Sequence, residues 1–146
     1  MAVTAAKALK ARVLLAGAAR GHVLRLGQPI SFWGGVDPTS GEIIEARHPD
    51  RGLSVAGRVL CLPDQIGSSS AGAVLLELLR LGLAPAALVL AETDAILALG
   101  ILVAREMGYP TIPVGELGRA EQSLLPQGAF VCIGRDGAII IEDVAA

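Results

Sequence analysis

The chain has 146 residues, of which 53% are hydrophobic, 18% are charged and 3% are aromatic, and its formal net charge is −2. This length suits one domain, so we treat residues 1–146 as a single domain. The sequence has no basic stripe with interleaved aromatic side chains, which argues against a nucleic-acid partner. Charged residues or prolines break every apolar run well before the ~20 residues that cross a bilayer, so we expect no membrane span.

The mean hydropathy of +0.60 is high for a chain without a membrane span. We infer large apolar surfaces, some of them covered by a partner subunit. Lys7, Lys10 and Arg12 followed by "VLLAGAA" superficially resemble a signal peptide. The apolar part is short and continues into a strand-like pattern, so we expect no signal peptide.

The two cysteines, Cys61 and Cys132, both lie inside apolar runs, "RVLCLP" and "AFVCIG". Neither has a second thiol or a histidine at the spacing of metal ligands. We therefore expect buried, reduced thiols in a cytoplasmic protein, and no metal bound by this chain.

The first third of the chain contains short apolar runs separated by glycine and proline, a pattern typical of β structure without helices. From Arg58 the pattern changes, and "RVLCL" is apolar at every position, as in a strand buried on both faces. A helix should follow and end at Gly82, with Pro85 beyond it. Its apolar face consists of Val74, Leu75, Leu78 and Leu79.

A second apolar strand, "AALVL", precedes a helix that should run from Thr93 or Asp94 to Met107. "TIPV" is a third strand, and this alternation implies parallel pairing with right-handed crossovers. Two more strand-like runs flank Asp136 and Gly137, a strong hairpin signal. The predicted fold is α/β: a β-rich N-terminal layer packed with a small parallel sheet and its helices, and a C-terminal hairpin.

Three serines, Ser68, Ser69 and Ser70, occupy the turn between the "RVLCL" strand and its helix. A helix N-terminus offers unpaired N–H groups and a positive dipole end, which attract carboxylates and stabilise an alkoxide. Serine is also a favoured N-cap residue with a purely structural role. Three serines exceed what one cap requires, and the spacing alone leaves both interpretations open.

A second polar cluster lies in "WGGVDPTSGEIIEARHPDRG". Gly34 and Gly35 would allow a backbone to approach a ligand closely, and His48 precedes a proline and is therefore extended or in a turn. Asp37 adds a carboxylate. The alternative is a pair of surface turns with a solvated histidine.

Three separated stretches, from about Gly27 to Val114, resemble the small subunit, or swivel domain, of the aconitase X family. They are "SFWGGVDPTSGEIIEARHPDRG", "GRVLCLPDQIGSSSAGAVLLELLRLGLAPAALVL" and "ETDAILALGILVAREMGYPTIPV". The resemblance implies the swivelling β/β/α fold. It also implies a larger partner subunit that carries an iron–sulfur cluster, with no cluster held by this chain.

The resemblance further implies that Ser68, in the "GSS" turn, is the catalytic base of a dehydratase. Gly67, Ser69 and Ser70 would bind substrate beside it. True aconitases and isopropylmalate isomerases continue "GSSR", and Ser70 replaces that arginine, which argues against a tricarboxylate substrate. We expect four further residues to border the same cleft: Gly34, Gly35, Asp37 and His48.

The implied activity is that of a two-subunit hydro-lyase. Bacterial members of the family are similar to enzymes that dehydrate cis-3-hydroxy-L-proline to a pyrroline carboxylate, and archaeal members to enzymes that dehydrate phosphomevalonate. The chain is rich in Ala, Leu, Arg and Gly, which suggests a GC-rich bacterial gene and favours the hydroxyproline substrate.

Two other functions remain open at this point. "ILVAREMGYPTIPVG" is similar to the end of the phosphohistidine swivel domain, but Leu99 stands where that domain has its histidine. A leucine cannot carry a phosphoryl group. A non-catalytic module that only docks on a larger protein is the other alternative.

Overall fold

A computed structural model describes residues 8–64 and 69–142. The strands are Ala8–Lys10 (β1), Arg12–Leu15 (β2), Ala19–Arg25 (β3), Val59–Leu62 (β4), Ala87–Leu90 (β5), Val114–Glu116 (β6), Phe130–Ile133 (β7) and Ala138–Ile141 (β8). The helices are Phe32–Gly35 (α1), Ala71–Leu81 (α2), Ala95–Glu106 (α3) and Arg119–Gln122 (α4). Within these ranges no helix has the length and apolar character needed to span a membrane.

The strands form one sheet in the order β1-β8-β7-β3-β4-β5-β6-β2. The four strands β3, β4, β5 and β6 are parallel. Antiparallel strands extend this sheet on both sides. The predicted α/β fold, with a small parallel sheet, two crossover helices and a C-terminal hairpin, is confirmed.

The sheet curls until its two edges meet at Ala11. This single residue separates β1 from β2, although the two strands lie at opposite ends of the strand order. Ala11 N donates to Gly137 O at 2.9 Å on one side. On the other side, a Cβ added to Gly115 would lie 2.9 Å from the Ala11 Cβ. The strands therefore enclose an apolar interior.

Alternate residues of the central strands face two different cores, as the period of a strand requires. In β4, Val59 and Cys61 point into the interior of the curled sheet, whereas Leu60 and Leu62 point toward α2 and α3. All four side chains are buried, which explains why the run is apolar at every position. The layers are β, β and α, in agreement with the predicted swivelling fold.

The N-terminal third differs in detail from the expected β layer without helices. β1 and β2 lie on opposite edges of the sheet, and β1 joins the C-terminal hairpin to build the outer β layer. Residues 26–58 contain the short helix α1 and isolated bridges, among them Val36 with Ile43 and Glu42 with Ser54. The many glycines and prolines here shorten each extended run, so a full strand does not form.

The two crossover helices have the predicted bounds. Asp94 caps α3, with its Oδ1 accepting from Ile96 N at 2.8 Å and from Leu97 N at 3.1 Å. Gly82 ends α2 at a φ of 73°, a conformation that favours glycine. The buried face of α2 contains the four predicted residues together with Ala71 and Gly72.

The two helices cross with backbone against backbone at Gly72 and Gly100. A Cβ on Gly100 would lie 2.6 Å from Gly72 O, and a Cβ on Gly72 would lie 2.7 Å from Ile96 O. No side chain fits between the helices at this point. The contact fixes the first turn of α2, which follows the serine turn directly.

We predict that Gly100→Ala destabilises the fold by about 1–3 kcal/mol, because the new methyl group meets a backbone atom that cannot move aside. This loss outweighs the gain in helix propensity of about 1 kcal/mol. Gly118→Ala is the matched control, because a Cβ at Gly118 meets nothing within 4 Å. Urea titration of both variants measures the effect, and equal unfolding midpoints would contradict the close crossing.

Candidate active site at the carboxyl edge of the parallel strands

Ser69 and Ser70 lie between β4 and α2, beyond the carboxyl end of a central parallel strand, which is where ligands bind in many parallel α/β folds. β4 ends at Leu62, and α2 begins at Ala71. Gly67 and Ser68 lie outside the described residues. Ser69 is exposed, and Ser70 is the N-cap residue of α2.

Ser70, at the N-cap position of α2, differs in backbone conformation from most capping residues. Ser70 has φ −92° and ψ −3°, a helical conformation rather than the extended one of most capping residues. Its carbonyl oxygen accepts from Ala73 N at 3.1 Å. The first turn of α2 contains no acidic residue, so no carboxylate of that turn neutralises the positive end of the helix.

A short helix that the sequence analysis missed, α4, closes the same edge of the sheet. The Gln122 side-chain amide is buried and donates to Leu62 O at 3.1 Å and to Leu117 O at 3.0 Å, with Val89 O at 3.4 Å. The amide therefore ties together the ends of β4 and β5 and the residue that follows β6. A four-residue helix has no periodicity, and no sequence signal marks this glutamine.

Arg25, at the end of β3, secures α4 from the other side. Its guanidinium donates to Gln122 O at 3.2 Å and to Leu125 O at 3.0 Å. Gln127 pairs with the Arg25 backbone in both directions, accepting from its N–H at 2.6 Å and donating to its carbonyl oxygen at 3.0 Å. The ends of β3, β4 and β5 are thus held as one rigid edge.

An open cleft lies between α4, the residues after β3 and the residues after β4. At its border, Arg119 forms an ion pair with Asp64, which follows β4. The side chain of Arg119 remains 62% exposed. The cleft is lined by Arg25, Leu26, Gly27, Pro29, Pro63, Arg119, Gln122 and Ser123.

His48, predicted to border the substrate cleft, is buried and supports the loop that lines it. Its Nδ1 accepts from Asp50 N at 3.0 Å, so the proton lies on Nε2, which donates to Gln28 O at 3.0 Å. The Asp50 carboxylate accepts from Gly27 N at 3.0 Å. With 1% of its side chain exposed, His48 offers no free nitrogen to a substrate, and its role is to position the loop.

The predicted glycine pair, Gly34 and Gly35, lies in α1, which packs against α2. Gly34 has a φ of 82°, and a Cβ on Gly35 would lie 2.6 Å from a side-chain carbon of Ile30, so both positions require glycine. An open depression next to this pair is lined by Ser31, Trp33, Gly34, Gly35 and Glu45. Contact between the pair and substrate remains a prediction.

Asp37 lies near the C-terminal end of α2, whereas Ser69 and Ser70 lie at its N-terminal end. Its carbonyl oxygen accepts from Gly41 N at 2.8 Å, and a Cβ on Gly41 would lie 3.1 Å from Leu83 O, just beyond the helix. The eleven residues of α2 span about 16 Å at ~1.5 Å each. The Asp37 carboxylate accepts from Thr39 N and Oγ1, which lowers its pKa and stabilises the turn. The structure therefore does not bring Asp37 to the serines.

A second polar group lies at the same edge, beyond β5. Thr93 Oγ1 donates to the Glu116 carboxylate, and the Arg12 guanidinium donates to the same carboxylate at 3.0 Å. The bonds from Arg12 and Thr93 lower the pKa of Glu116. This group joins β2, β6 and the start of the loop that leads to α3.

The cysteines do not form a metal site. Burial raises the pKa of Cys61 to about 12, so its thiol is protonated at neutral pH. Cys132 is only partly buried, which corrects the expectation of two buried thiols, because its side chain lies on the outer face of β7 and donates to Glu142 at 3.0 Å. The described ranges contain no group of three or more His, Cys, Asp or Glu that could hold a metal ion. An iron–sulfur cluster therefore does not fit the described residues, and its place in a partner remains a prediction.

Comparison with known proteins agrees with this fold. Residues 8–141 match the family model "Aconitase X swivel domain". The chain is 48% identical over 107 residues to a cis-3-hydroxy-L-proline dehydratase of Pseudomonas aeruginosa, covering 73% of this chain and 18% of that protein. It is 39% identical over 101 residues to the phosphomevalonate dehydratase small subunit of Methanothermobacter thermautotrophicus, covering 69% of this chain and 75% of that subunit.

The crystal structure of Thermococcus kodakaraensis aconitase X in its holo-form superposes on 94% of this chain and 99% of that chain, with a TM-score of 0.82 and 31% identity. The three layers and the serine turn at the carboxyl edge thus define a swivelling domain. The chain belongs to the aconitase X swivel-domain family. It spans about a fifth of the length of the cis-3-hydroxy-L-proline dehydratases that it matches.

We predict that Gln122→Leu lowers the free energy of unfolding by about 1–3 kcal/mol, because it leaves buried carbonyl oxygens without a donor. Glu121→Ala, at an exposed neighbouring position on α4, is the matched control and should change stability by less than about 0.5 kcal/mol. Thermal and urea unfolding measure both. Equal loss in the two variants would contradict a specific role for the Gln122 amide.

Proposed function

We propose that this chain is the small, swivel subunit of an aconitase X-type hydro-lyase that dehydrates cis-3-hydroxy-L-proline, and that Ser68 is its general base. The observation that carries the proposal is the 48% identity to a dehydratase of that specificity. The position of Ser69 and Ser70 at the start of α2, on the carboxyl edge of the sheet, supports it. Dehydration of phosphomevalonate is the second candidate, because the archaeal relative, itself a small subunit, is 39% identical.

The reaction removes a proton from the carbon next to a carboxylate and expels a hydroxyl group as water. A serine hydroxyl is a weak base and needs surroundings that favour its alkoxide. The start of α2 supplies part of the positive potential that favours an alkoxide. No acidic side chain in its first turn neutralises the positive end of the helix dipole. An iron–sulfur cluster in the partner, as predicted, would polarise the departing hydroxyl group.

The chain's own residues keep the edge of this half-site rigid. The Gln122 amide holds the ends of the parallel strands, and His48 with Asp50 holds the loop at Gly27 and Gln28. A rigid edge matters because small errors in the position of a general base reduce the rate strongly. We assign His48 this positioning role rather than contact with substrate.

The proposed partner is the large subunit of the same enzyme. The cis-3-hydroxy-L-proline dehydratase relatives are about five times as long as the matched segment, so in those proteins the domain must pack against a much larger body. A groove between α2 and α3 begins at Ser69 and contains no ionisable side chain in its lining, which suits an apolar protein surface rather than a charged ligand. Its lining is Ser69, Gly72, Ala73, Leu76, Ile96, Leu99, Gly100 and Val103.

Leu99 is a large, exposed apolar residue in the lining of this groove, and we place the centre of the contact at its side chain. Its side chain is 58% exposed, and Leu102 and Val103 beside it on α3 are 39% and 38% exposed. Covering these side chains would bring the large subunit up to the serine turn.

We also assign the complex to the cytoplasm, where free thiols such as Cys61 and Cys132 stay reduced.

We predict that Ser68→Ala lowers kcat of the complex with the large subunit by about 10²- to 10⁴-fold, the usual contribution of a general base. Ser54→Ala, the same change at the exposed residue that bridges Glu42, should keep activity. Turnover is measured as loss of one water from cis-3-hydroxy-L-proline and from phosphomevalonate. The chain alone should be inactive with both.

Each result of this experiment has a separate meaning. Full activity of Ser68→Ala would remove Ser68 from the mechanism. Turnover by the isolated chain would contradict the need for a large subunit. A wild-type complex that dehydrates only phosphomevalonate would replace the first substrate with the second.

We predict that Leu99→Glu weakens binding of the large subunit at least about tenfold, because the charge would be buried at the centre of the contact. Leu53→Glu is the matched control, since Leu53 is 43% exposed on a loop. Circular dichroism should show both variants folded, because both residues are exposed rather than part of a core. Co-purification and titration with the large subunit give the affinities, and unchanged binding of Leu99→Glu would move the interface elsewhere.

A further inference from the structure

Three arginines, Arg12, Arg25 and Arg119, lie at the carboxyl edge of the parallel strands, and they differ in their partners among the described residues. Arg25 is committed to the carbonyl oxygens of Gln122 and Leu125. Arg12 is committed to Glu116 and Thr93. Arg119, in contrast, stands at the mouth of the cleft and has a single side-chain partner, Asp64.

The position of Arg119 differs from that of an ordinary surface cation. Its backbone belongs to α4, whose Gln122 is anchored to three strand ends. Asp64 follows the last residues of β4, so the ion pair joins the two walls of the cleft. The lining of the cleft contains two arginines, Arg25 and Arg119. Because the Arg25 guanidinium is bound to two carbonyl oxygens, Arg119 is the cation of this lining that a ligand can reach.

A carboxylate substrate needs a cation in this part of the site. The serine turn, "QIGSSS", contains neither lysine nor arginine. Both candidate substrates carry a carboxylate next to the carbon that loses its proton. A guanidinium presents paired N–H donors that match the two oxygens of a carboxylate, a geometry that lysine does not reproduce.

We infer that Arg119 binds the substrate carboxylate in this cleft and that Asp64 orients the guanidinium for it. This inference rests on the proposed dehydratase function and adds a specificity-determining residue to it. Asp64 holds the arginine against the strand end while its outer N–H groups face the cleft. An exposed ion pair of this kind contributes little to stability by itself, so loss of Arg119 should affect ligand binding far more than folding.

The test uses the complex of this chain with its large subunit and compares an acid with its amide. The ligands are cis-3-hydroxy-L-proline and cis-3-hydroxy-L-prolinamide, which differ only in the charge of the group that Arg119 would bind. Arg119→Gln should raise the KM for the acid about 10- to 100-fold, the range expected for a charged hydrogen bond. The kcat should change much less, and the affinity for the amide, measured by calorimetry, should stay within about twofold.

Two further variants separate charge from geometry. Arg119→Lys should recover only part of the loss, because the charge is kept but the paired donors are not. Asp64→Asn should raise the KM for the acid less than Arg119→Gln does and leave the amide unaffected. Arg105→Gln is the control, since Arg105 is exposed in the last turn of α3, at the opposite end of the sheet.

The outcomes distinguish this inference from the proposed function. If the wild-type complex is active and Arg119→Gln leaves the KM unchanged, or weakens acid and amide equally, the Arg119 assignment is wrong and the dehydratase proposal stands. If the wild-type complex turns over phosphomevalonate instead, the same comparison is made with that acid and its amide. If the wild-type complex neither binds nor converts either acid, both proposals fail.

Discussion

The contact between Gly72 and Gly100 is the constraint on which the functional end of this domain depends. The two helix backbones touch, and a methyl group at either position would meet a carbonyl oxygen. This contact fixes the position of α2 along its own axis relative to α3. It therefore fixes where α2 begins, directly after Ser70. It also opens the groove beside Ser69, since no large side chain fills the space between the helices.

A second constraint acts on the ends of the strands. Parallel strands finish with unpaired carbonyl groups, and burial of such groups requires donors. The Gln122 amide supplies donors to Leu62 O, at the end of β4, and to Leu117 O, just after β6. The Arg25 guanidinium donates to the carbonyl oxygens of Gln122 and Leu125 and so holds α4 at this edge. Arg25 and Gln122 also line the cleft. The hydrogen bonds that satisfy buried carbonyl groups therefore also shape the site.

Much of the architecture was predictable from local patterns. Asp94 and Gly82 bound their helices as capping rules require, and the Asp136 and Gly137 turn forms the predicted hairpin. The apolar pattern of β4 correctly indicated a strand buried on both faces. These features depend on neighbouring residues, which is why periodicity and capping chemistry are sufficient for them.

The site was predictable only in part. The serine turn was located at the start of α2, whereas Asp37 was grouped with it and lies near the other end of that helix. His48 was recognised as unusual, but its partners, Gln28 and the Asp50 backbone, come from chain reversals that no local pattern specifies. The function of Ser68 remains a prediction carried by family membership.

The sequence by itself determined the alternation of strands and crossover helices from Arg58 onward, the ends of those helices, the C-terminal hairpin and the family. Only the tertiary structure decided that β1 and β2 close the sheet at Ala11, and that Arg119 and Asp64 form an ion pair at the border of a cleft. The physical reason is the range of the interactions. Capping and periodicity act over a few residues, whereas Arg119 and Asp64 are brought together by strand pairing and by the anchoring of α4, which act between distant parts of the chain.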